Sequence, residues 1–366
     1  MQIQGHRGGF QPENTMMAFQ QAVEHDIKAI EIDIWLTSDN IAVILHGGED
    51  GELNHHFSHF TEAEYIFEKT FDQLSKFDMG LGERIPTLSQ LLTFSKQNNV
   101  FINIELKVPR AESALNAYRY KDCARIAHDL IQSHEMTDQV LFSSFNRDIL
   151  QEIEMNNLST YGDSQAVETI YLMNFHQEQL PEPSVYTNLG GSGINVSSIH
   201  ITQEVVDHCH RQGQKVGVWI SKKIEIEGDE LYLRLLKMGV DFICSDYPHL
   251  VKNSQDAFEQ TVHSSQSILD IEPSQAGLVD DLIDKCSQVS VQSDDHYYQI
   301  ESADMESDEQ FLKSNFNSGA FASGTSTHST IENSDGLLTS NANVNVLSFK
   351  DLQLIRRNFF YHDIEL

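Results

Sequence analysis

Glu31 and Asp33 stand two residues apart in the run AIEIDIW (29–35), and Glu105 and Lys107 do the same in FINIELKV (101–108). On an extended strand, residues two apart point the same way, so each pair presents its charges from one face. The surrounding residues are β-branched and apolar, and like-charged carboxylates are costly to bury unless a cation pairs with them. Three inward carboxylates, Glu31, Asp33 and Glu105, suit one hard divalent ion, Ca²⁺ or Mg²⁺, with Mn²⁺ also admissible. His6 and Arg7 lie at the end of the first candidate strand, and His46 closes the run IAVILH (41–46). Imidazole is the side chain best suited to exchange protons near neutral pH. A metal, two histidines, Arg7 and Lys107 together describe a site for a phosphate ester. The cations face the phosphoryl oxygens, and the histidines serve the attacking and leaving oxygens.

Elements that position such residues alternate along the first 250 residues. AIEIDIWLT and IAVILH read as strands joined by a DN turn, and FINIELKV, QVLFSSF, QKVGVWIS and VDFICSD as further strands. Helical stretches lie between them at NTMMAFQQAVEH, TLSQLLTFSKQ, ESALNAYRYKDCARIAHDLIQ and TQEVVDHCHRQ. Strands separated by helices of this length imply parallel βαβ units, and about 250 residues of them predict a closed (β/α)₈ TIM barrel of the α/β class. A fifth strand is not placed within 155–198. Residues 47–85, with HHFSHF and many acids, read as a small insertion after an early strand. Both histidines then fall at the C-terminal face, where such barrels build their sites.

Texture changes near residue 252. The barrel domain is expected over 1–251 and an acidic, Ser/Gln/Asn-rich, largely disordered tail over 252–366, because such segments bury too little apolar area to offset the entropy of ordering. A short helix is predicted at 275–289, and the apolar end of the chain, 346–366, is suited to docking on its own domain or on a protein partner. Residues 251–366 carry 19 acids and 6 bases, and the whole chain 55 and 24, a net charge of −31. That balance argues against nucleic acid or an anionic membrane surface as the main partner. Four scattered cysteines, Cys123, Cys209, Cys244 and Cys286, fit free thiols in a reducing compartment. With no secretory signal and no apolar run of spanning length, a cytoplasmic location is the expectation.

The blocks HRGGFQPENTMMAF, EIDIWLTSDNIAVILH, IELK, SSFN, VGVWI and GVDFICSDYP, in this order, resemble the glycerophosphodiester phosphodiesterase family over roughly residues 3–250. The resemblance implies a TIM barrel and metal-dependent hydrolysis of glycerophosphodiesters to glycerol 3-phosphate and an alcohol. It implies His6 and His46 as the acid/base pair, Arg7 and Lys107 as phosphate contacts, and Glu31, Asp33 and Glu105 as metal carboxylates. It further implies Glu13 as a support for the His6–Arg7 loop and Trp219 as an aromatic wall of the substrate pocket. Asn14 reads as an N-cap of the first helix. Two departures stand out: Gly47 follows the second histidine where the family usually has Asp, and Trp219 is followed by Ile220-Ser221-Lys222 rather than Thr and Asn.

Two other functions remain open to such a chain, a lysophospholipase D acting on lysophospholipids and a catalytically silent barrel retained as a binding module. His55, His56 and His59 read as a solvated loop, and His208 and His210 as one helix face around Cys209. The N-x-S sequons at Asn157 and Asn195 read as chance occurrences.

Overall fold

The computed structural model describes residues 1–60, 64–161, 166–173, 191–220 and 226–269. The chain divides into two compact units, Met1–Gln260 and Thr261–Leu366; the second is described only as far as Leu269. The nine described strands are β1 (Gln2–Gly5), β2 (Ala29–Leu36), β3 (Ala42–Ile44), β4 (Phe101–Leu106), β5 (Val140–Ser144), β6 (Glu168–Met173), β7 (Gly193–Ser197), β8 (Lys215–Trp219) and β9 (Phe242–Ser245). All but β3 run parallel in one ring, which closes because β1 pairs with both β2 and β9. This is the expected eight-stranded barrel with helices between its strands.

The segment 155–198 supplies two strands, β6 and β7. Both are short and nearly continuous buried runs, ETIYLM and GINVS. Such runs lack the alternation that marks a half-exposed strand, which is why the sequence pattern left them unplaced.

β3 corrects a second expectation. His46 does not sit at the end of a barrel strand. β2 outruns its neighbour β4 by Trp35 and Leu36, and β3 folds back against that extension antiparallel, with Ile34 opposite Ile44 and Leu36 opposite Ala42. A connection as short as 37–41 permits only a hairpin, whereas a parallel pairing needs a long crossover. The descending arm brings Leu45 back to the rim, where its N–H donates to the carbonyl of Asp33 at 3.1 Å.

Insertion residues Leu53, Phe57, Ile66, Phe67 and Leu74 are buried together with Trp35. The insertion is therefore a packed cap on the β2–β3 hairpin. Gly51 touches the Trp35 ring, and a Cβ there would lie 3.0 Å from it.

Helices follow their local signals. Thr87 caps helix Leu88–Asn98 in a reciprocal box with Gln90, and Asn99 ends it in the left-handed conformation. Helix Met16–Glu24 is capped by Thr15, whose hydroxyl accepts from Ala18 N, and not by Asn14. The last described helix, Pro248–Leu269, carries regular structure past residue 252, with Val251 and Ser254 buried. The expectations for 270–366, including Cys286, lie outside the described residues. Cys123, Cys209 and Cys244 are free and buried. Asn157 and Asn195 are buried too, so neither sequon offers its amide to solvent. No helix among the described residues is long and apolar enough to cross a membrane.

Candidate active site

β2 and β4 lie side by side in parallel register, with Asp33 opposite Glu105 and Glu31 opposite Asn103. The carboxylates of Glu31, Asp33 and Glu105 therefore meet at the C-terminal rim, one oxygen of each lying within 4.8 Å of the others. Below them a buried polar chain replaces an apolar layer: Asn103 donates to Gln4 at 2.9 Å, and Ser143 donates to Asn103 at 2.7 Å. Lys107, just beyond β4, holds Nζ 2.8 Å from Glu105 Oε1 and 3.3 Å from Asp33 Oδ1.

The turn after β1 delivers the other cation. Arg7 itself adopts φ 51°, a conformation unfavourable for a residue with a side chain, and Gly8 and Gly9 continue the turn at φ 97° and 76°. A Cβ on Gly9 would collide with the Pro248 ring, so HRGG permits the close approach. The Arg7 backbone N–H donates to Glu31 Oε2 at 3.0 Å, and its Nη1 donates to Glu13 Oε1 at 2.6 Å. Nε lies 3.3 Å from Asp33 Oδ2. Asn14, at φ 57°, turns its amide inward and donates to Asp33 Oδ2 at 2.9 Å.

Electrostatics follow from this crowding. Burial raises the Glu31 carboxyl to about 8, helped by repulsion from Asp33. Glu105 is raised by burial as well, against the attraction of Lys107. Burial also opposes ionisation of Asp33, but Lys107, His46, Arg7 and His6 outweigh it and hold that carboxyl well below the usual range. Burial opposes the charge on Lys107, yet Glu105 and Asp33 push its pKa up to about 12. With no cation bound, these fields favour Asp33 as the ionised member of the pair and Glu31 as the neutral one. An all-oxygen donor set with a carboxyl raised by its neighbours fits a hard divalent cation, whose charge would let all three ionise together.

His6 donates through Nδ1 to Asp246 Oδ1 at 2.7 Å, and its Nε2 lies 4.0 Å from Glu31. Burial and Arg7 lower the His6 pKa. Burial lowers that of His46 to about 2, with Asp33 opposing and Lys107 reinforcing. A cleft of about 410 Å³ opens beside these groups, lined by His46, Glu105, Lys107, Arg110, Phe145 and Asn146 among others. Trp219, at the end of β8, sets its ring edge-on to Phe145 at 6.3 Å and donates from Nε1 to the Met173 carbonyl at 3.3 Å. The residues singled out in the sequence thus gather at one rim.

A family model described as the glycerophosphoryl diester phosphodiesterase family matches residues 6–250. The chain belongs to that family. A glycerophosphodiester phosphodiesterase of Bacillus altitudinis is 28% identical over 263 residues, covering 67% of this chain and 94% of that protein. One from Caldanaerobacter subterraneus is 25% identical over 260 residues, covering 68% and 95%. Among solved structures, a glycerophosphodiester phosphodiesterase of Parabacteroides distasonis aligns with TM-score 0.54 at 24% identity, over 71% of this chain and 97% of that one. A phosphodiesterase of Oleispira antarctica, solved in complex with the product sn-glycerol-3-phosphate, aligns with TM-score 0.55 at 24% identity, over 70% and 97%. These two structures speak to the barrel that members of the family share with this chain.

Sequence reasoning missed several residues at this rim. Asp246 had a usable signal: it follows the last strand, and in a closed barrel the last strand lies beside the first, which ends at His6. Glu227, in the connection from β8 to the helix Asp229–Met238, accepts from Ser245 Oγ at the end of the neighbouring β9 and from the Tyr232 hydroxyl; a lone acid in a loop carries no spacing signal. The loop reading of His55 and His56 holds for exposure at His55, whereas His56 is half-buried, and both rings stand against His46 at centroid distances of 5.3 and 6.4 Å.

Proposed function

We propose that this chain hydrolyses glycerophosphodiesters to glycerol 3-phosphate and an alcohol, using one divalent cation held by Glu31, Asp33 and Glu105 and an acid/base pair of His6 and His46. The observation that carries this reading is the meeting of three carboxylates, two cationic side chains and two histidines on one rim of a family barrel. When bound, the cation supplies Lewis-acid polarisation of a phosphoryl oxygen. Ca²⁺ and Mg²⁺ are the ions the oxygen donors favour, with Mn²⁺ admissible.

The chain's own residues do the rest. Lys107 and Arg7 face the remaining phosphoryl oxygens, and Glu13 fixes the Arg7 fork by its 2.6 Å contact. One imidazole takes the proton of the attacking oxygen, either of water or of the glycerol 2-hydroxyl, while the other gives a proton to the departing alcohol. Both rings have lowered pKa values in the free site. The negative phosphodiester brought beside them favours the imidazolium that the acid step needs. Trp219 and Phe145 wall the alcohol side. In this reading residues 1–251 carry the activity, the acidic tail is dispensable for turnover, and the enzyme works in the cytoplasm, a location that free, buried thiols support.

The test is release of glycerol 3-phosphate from glycerophosphocholine, glycerophosphoethanolamine and glycerophosphoinositol by purified protein with Mg²⁺ or Ca²⁺. Chelation is expected to abolish the release, and readdition of metal to restore it. Silence on all three diesters with every metal would sink the assignment, and faster turnover of lysophosphatidylcholine would move it to lysophospholipase D.

Asp246 has a separate expected role as a positioning residue for His6. Asp246→Asn keeps an oxygen for the Nδ1 hydrogen bond but loses the charge that supports an imidazolium. The variant is expected to lower kcat by about 10²–10⁴, with KM little changed and the His6 limb of the pH–rate profile moved to lower pH. An unaltered profile would make the contact purely structural.

A further inference from the structure

We propose that His46, His55 and His56 form a second cation site, selective for a nitrogen-seeking transition-metal ion such as Zn²⁺, whose occupation withdraws His46 from catalysis. The binding half of this inference stands alone; the inhibitory half rests on the hydrolytic function proposed above.

The run HGGEDGELNHHF builds the site. Gly47 takes φ 69° and Gly51 φ 87°, and the chain doubles back through hydrogen bonds from Gly48 N to Glu52 O at 3.0 Å and from Gly51 N to Gly48 O at 3.1 Å. The 3₁₀ turn Leu53–His55 then lays two imidazoles over the one that follows β3. One ring nitrogen from each of the three lies within 4.8 Å of the others. Nitrogen ligands at 2.0–2.1 Å around a tetrahedral ion stand about 3.4 Å apart. Side-chain rotations of about an ångström therefore close the set.

Ordinary ring packing leaves a debt here. His46 Nδ1 and His56 Nε2 are both buried without a hydrogen-bond partner, and an unsatisfied buried polar atom costs about 1–3 kcal/mol. A bound cation turns that cost into ligation. Histidine's ordinary pKa near 6.5 leaves such rings mostly neutral above that pH, the form that ligation requires. Around the rings Glu13, Glu52 and Asp33 bring negative charge and Arg7 and Lys107 positive, so the three nitrogens rather than the surrounding charge recommend the site.

Chemistry keeps this site apart from the carboxylates. Glu31, Asp33 and Glu105 offer only oxygen, the choice of Mg²⁺ and Ca²⁺, while three imidazoles suit Zn²⁺, Cu²⁺ or Ni²⁺. Three protein ligands leave a fourth position for water. Because His46 belongs to both assemblies, an ion on the histidines occupies a ring that the reaction needs free.

The experiment uses the full chain in excess Mg²⁺ and follows Zn²⁺ by equilibrium dialysis, with the double variant His55→Gln/His56→Gln beside it. The parent chain is expected to bind one Zn²⁺ more than the variant. With Co²⁺ as probe, it should show a visible absorption band that the variant lacks. In the glycerophosphocholine assay, Zn²⁺ should inhibit the parent, and half-inhibition in the variant, measured against its own Mg²⁺ rate, should need about tenfold more Zn²⁺ or above. Circular dichroism reports whether the double variant folds; the single variant His55→Gln, at an exposed position, carries the comparison otherwise. Equal Zn²⁺ stoichiometry and affinity in parent and variant would place the zinc on the carboxylates and overturn the proposal. Zinc bound with this difference but no turnover on any diester would count against the hydrolytic reading and leave the second site standing.

Discussion

His46→Ala is expected to lower kcat for glycerophosphodiester hydrolysis by about 10²–10⁴ while leaving the barrel folded. The effect is large because an oxygen must gain or lose a proton in each half of the reaction, and His6 and His46 are the imidazoles set beside the three carboxylates. His6 cannot cover both roles. Its Nδ1 is tied to Asp246 at 2.7 Å, which fixes the ring on the Glu31 side of the carboxylates. His46 approaches from the β3 side, where Leu45 N donates to the Asp33 carbonyl at 3.1 Å. Loss of the ring should leave the hairpin in place, since Trp35 Nε1 donates to the His46 backbone carbonyl at 3.0 Å and not to the imidazole. KM should change little, because the phosphate contacts of Arg7 and Lys107 and the metal carboxylates survive. The measurement is steady-state kinetics on glycerophosphocholine with a melting curve on the same sample. A variant within tenfold of the parent would remove His46 from the acid/base pair.

The carboxylate cluster was legible in the sequence because a strand has a period of two. Glu31 and Asp33 amid isoleucines can only share a face, and a parallel neighbour carrying Glu105 at the same height completes the cluster. His46 was legible as a residue but not as a position. Its run looks like any barrel strand, and only the shortness of 37–41 tells that it returns antiparallel and reaches the rim from above. β6 and β7 escaped because strands buried on both faces show neither alternation nor helical spacing. Asn14 escaped for a different reason. Asn before an apolar helical run is a good capping signal, but Thr15 competes for the same role with its own hydroxyl. With the cap filled, Asn14 is free to turn to Asp33. The histidines of the insertion escaped because their meeting depends on where a glycine-rich loop folds back, and spacing alone carries no such information.

Glu31→Gln is expected to stabilise the metal-free protein at pH 8 and to disable the enzyme. In the folded chain burial and the repulsion of Asp33 raise the Glu31 carboxyl from 4.5 to about 8. Between those values the folded state holds a proton that the unfolded state has released, so stability falls as pH rises through that window and levels off above it. Glutamine is neutral at every pH and removes the loss, while its side-chain oxygen can still accept from Arg7 N as Oε2 does at 3.0 Å. The melting temperature of the metal-free variant should therefore match the parent near pH 4 and exceed it at pH 8 by roughly 10 °C, since a carboxyl raised from 4.5 to about 8 costs about 4–5 kcal/mol there and each kcal/mol is worth roughly 2–4 °C in a domain of this size. Mg²⁺ or Ca²⁺ reverses the order. The parent gains stability by binding the ion with three carboxylates, whereas the variant offers two and should respond weakly. Turnover should fall by more than about 100-fold, since even partners one step removed from a metal contribute 10–100-fold. A variant that melts below the parent at pH 8 without metal, or that gains as much from Mg²⁺, would show that Glu31 is not held protonated by its neighbours and does not take part in binding the ion.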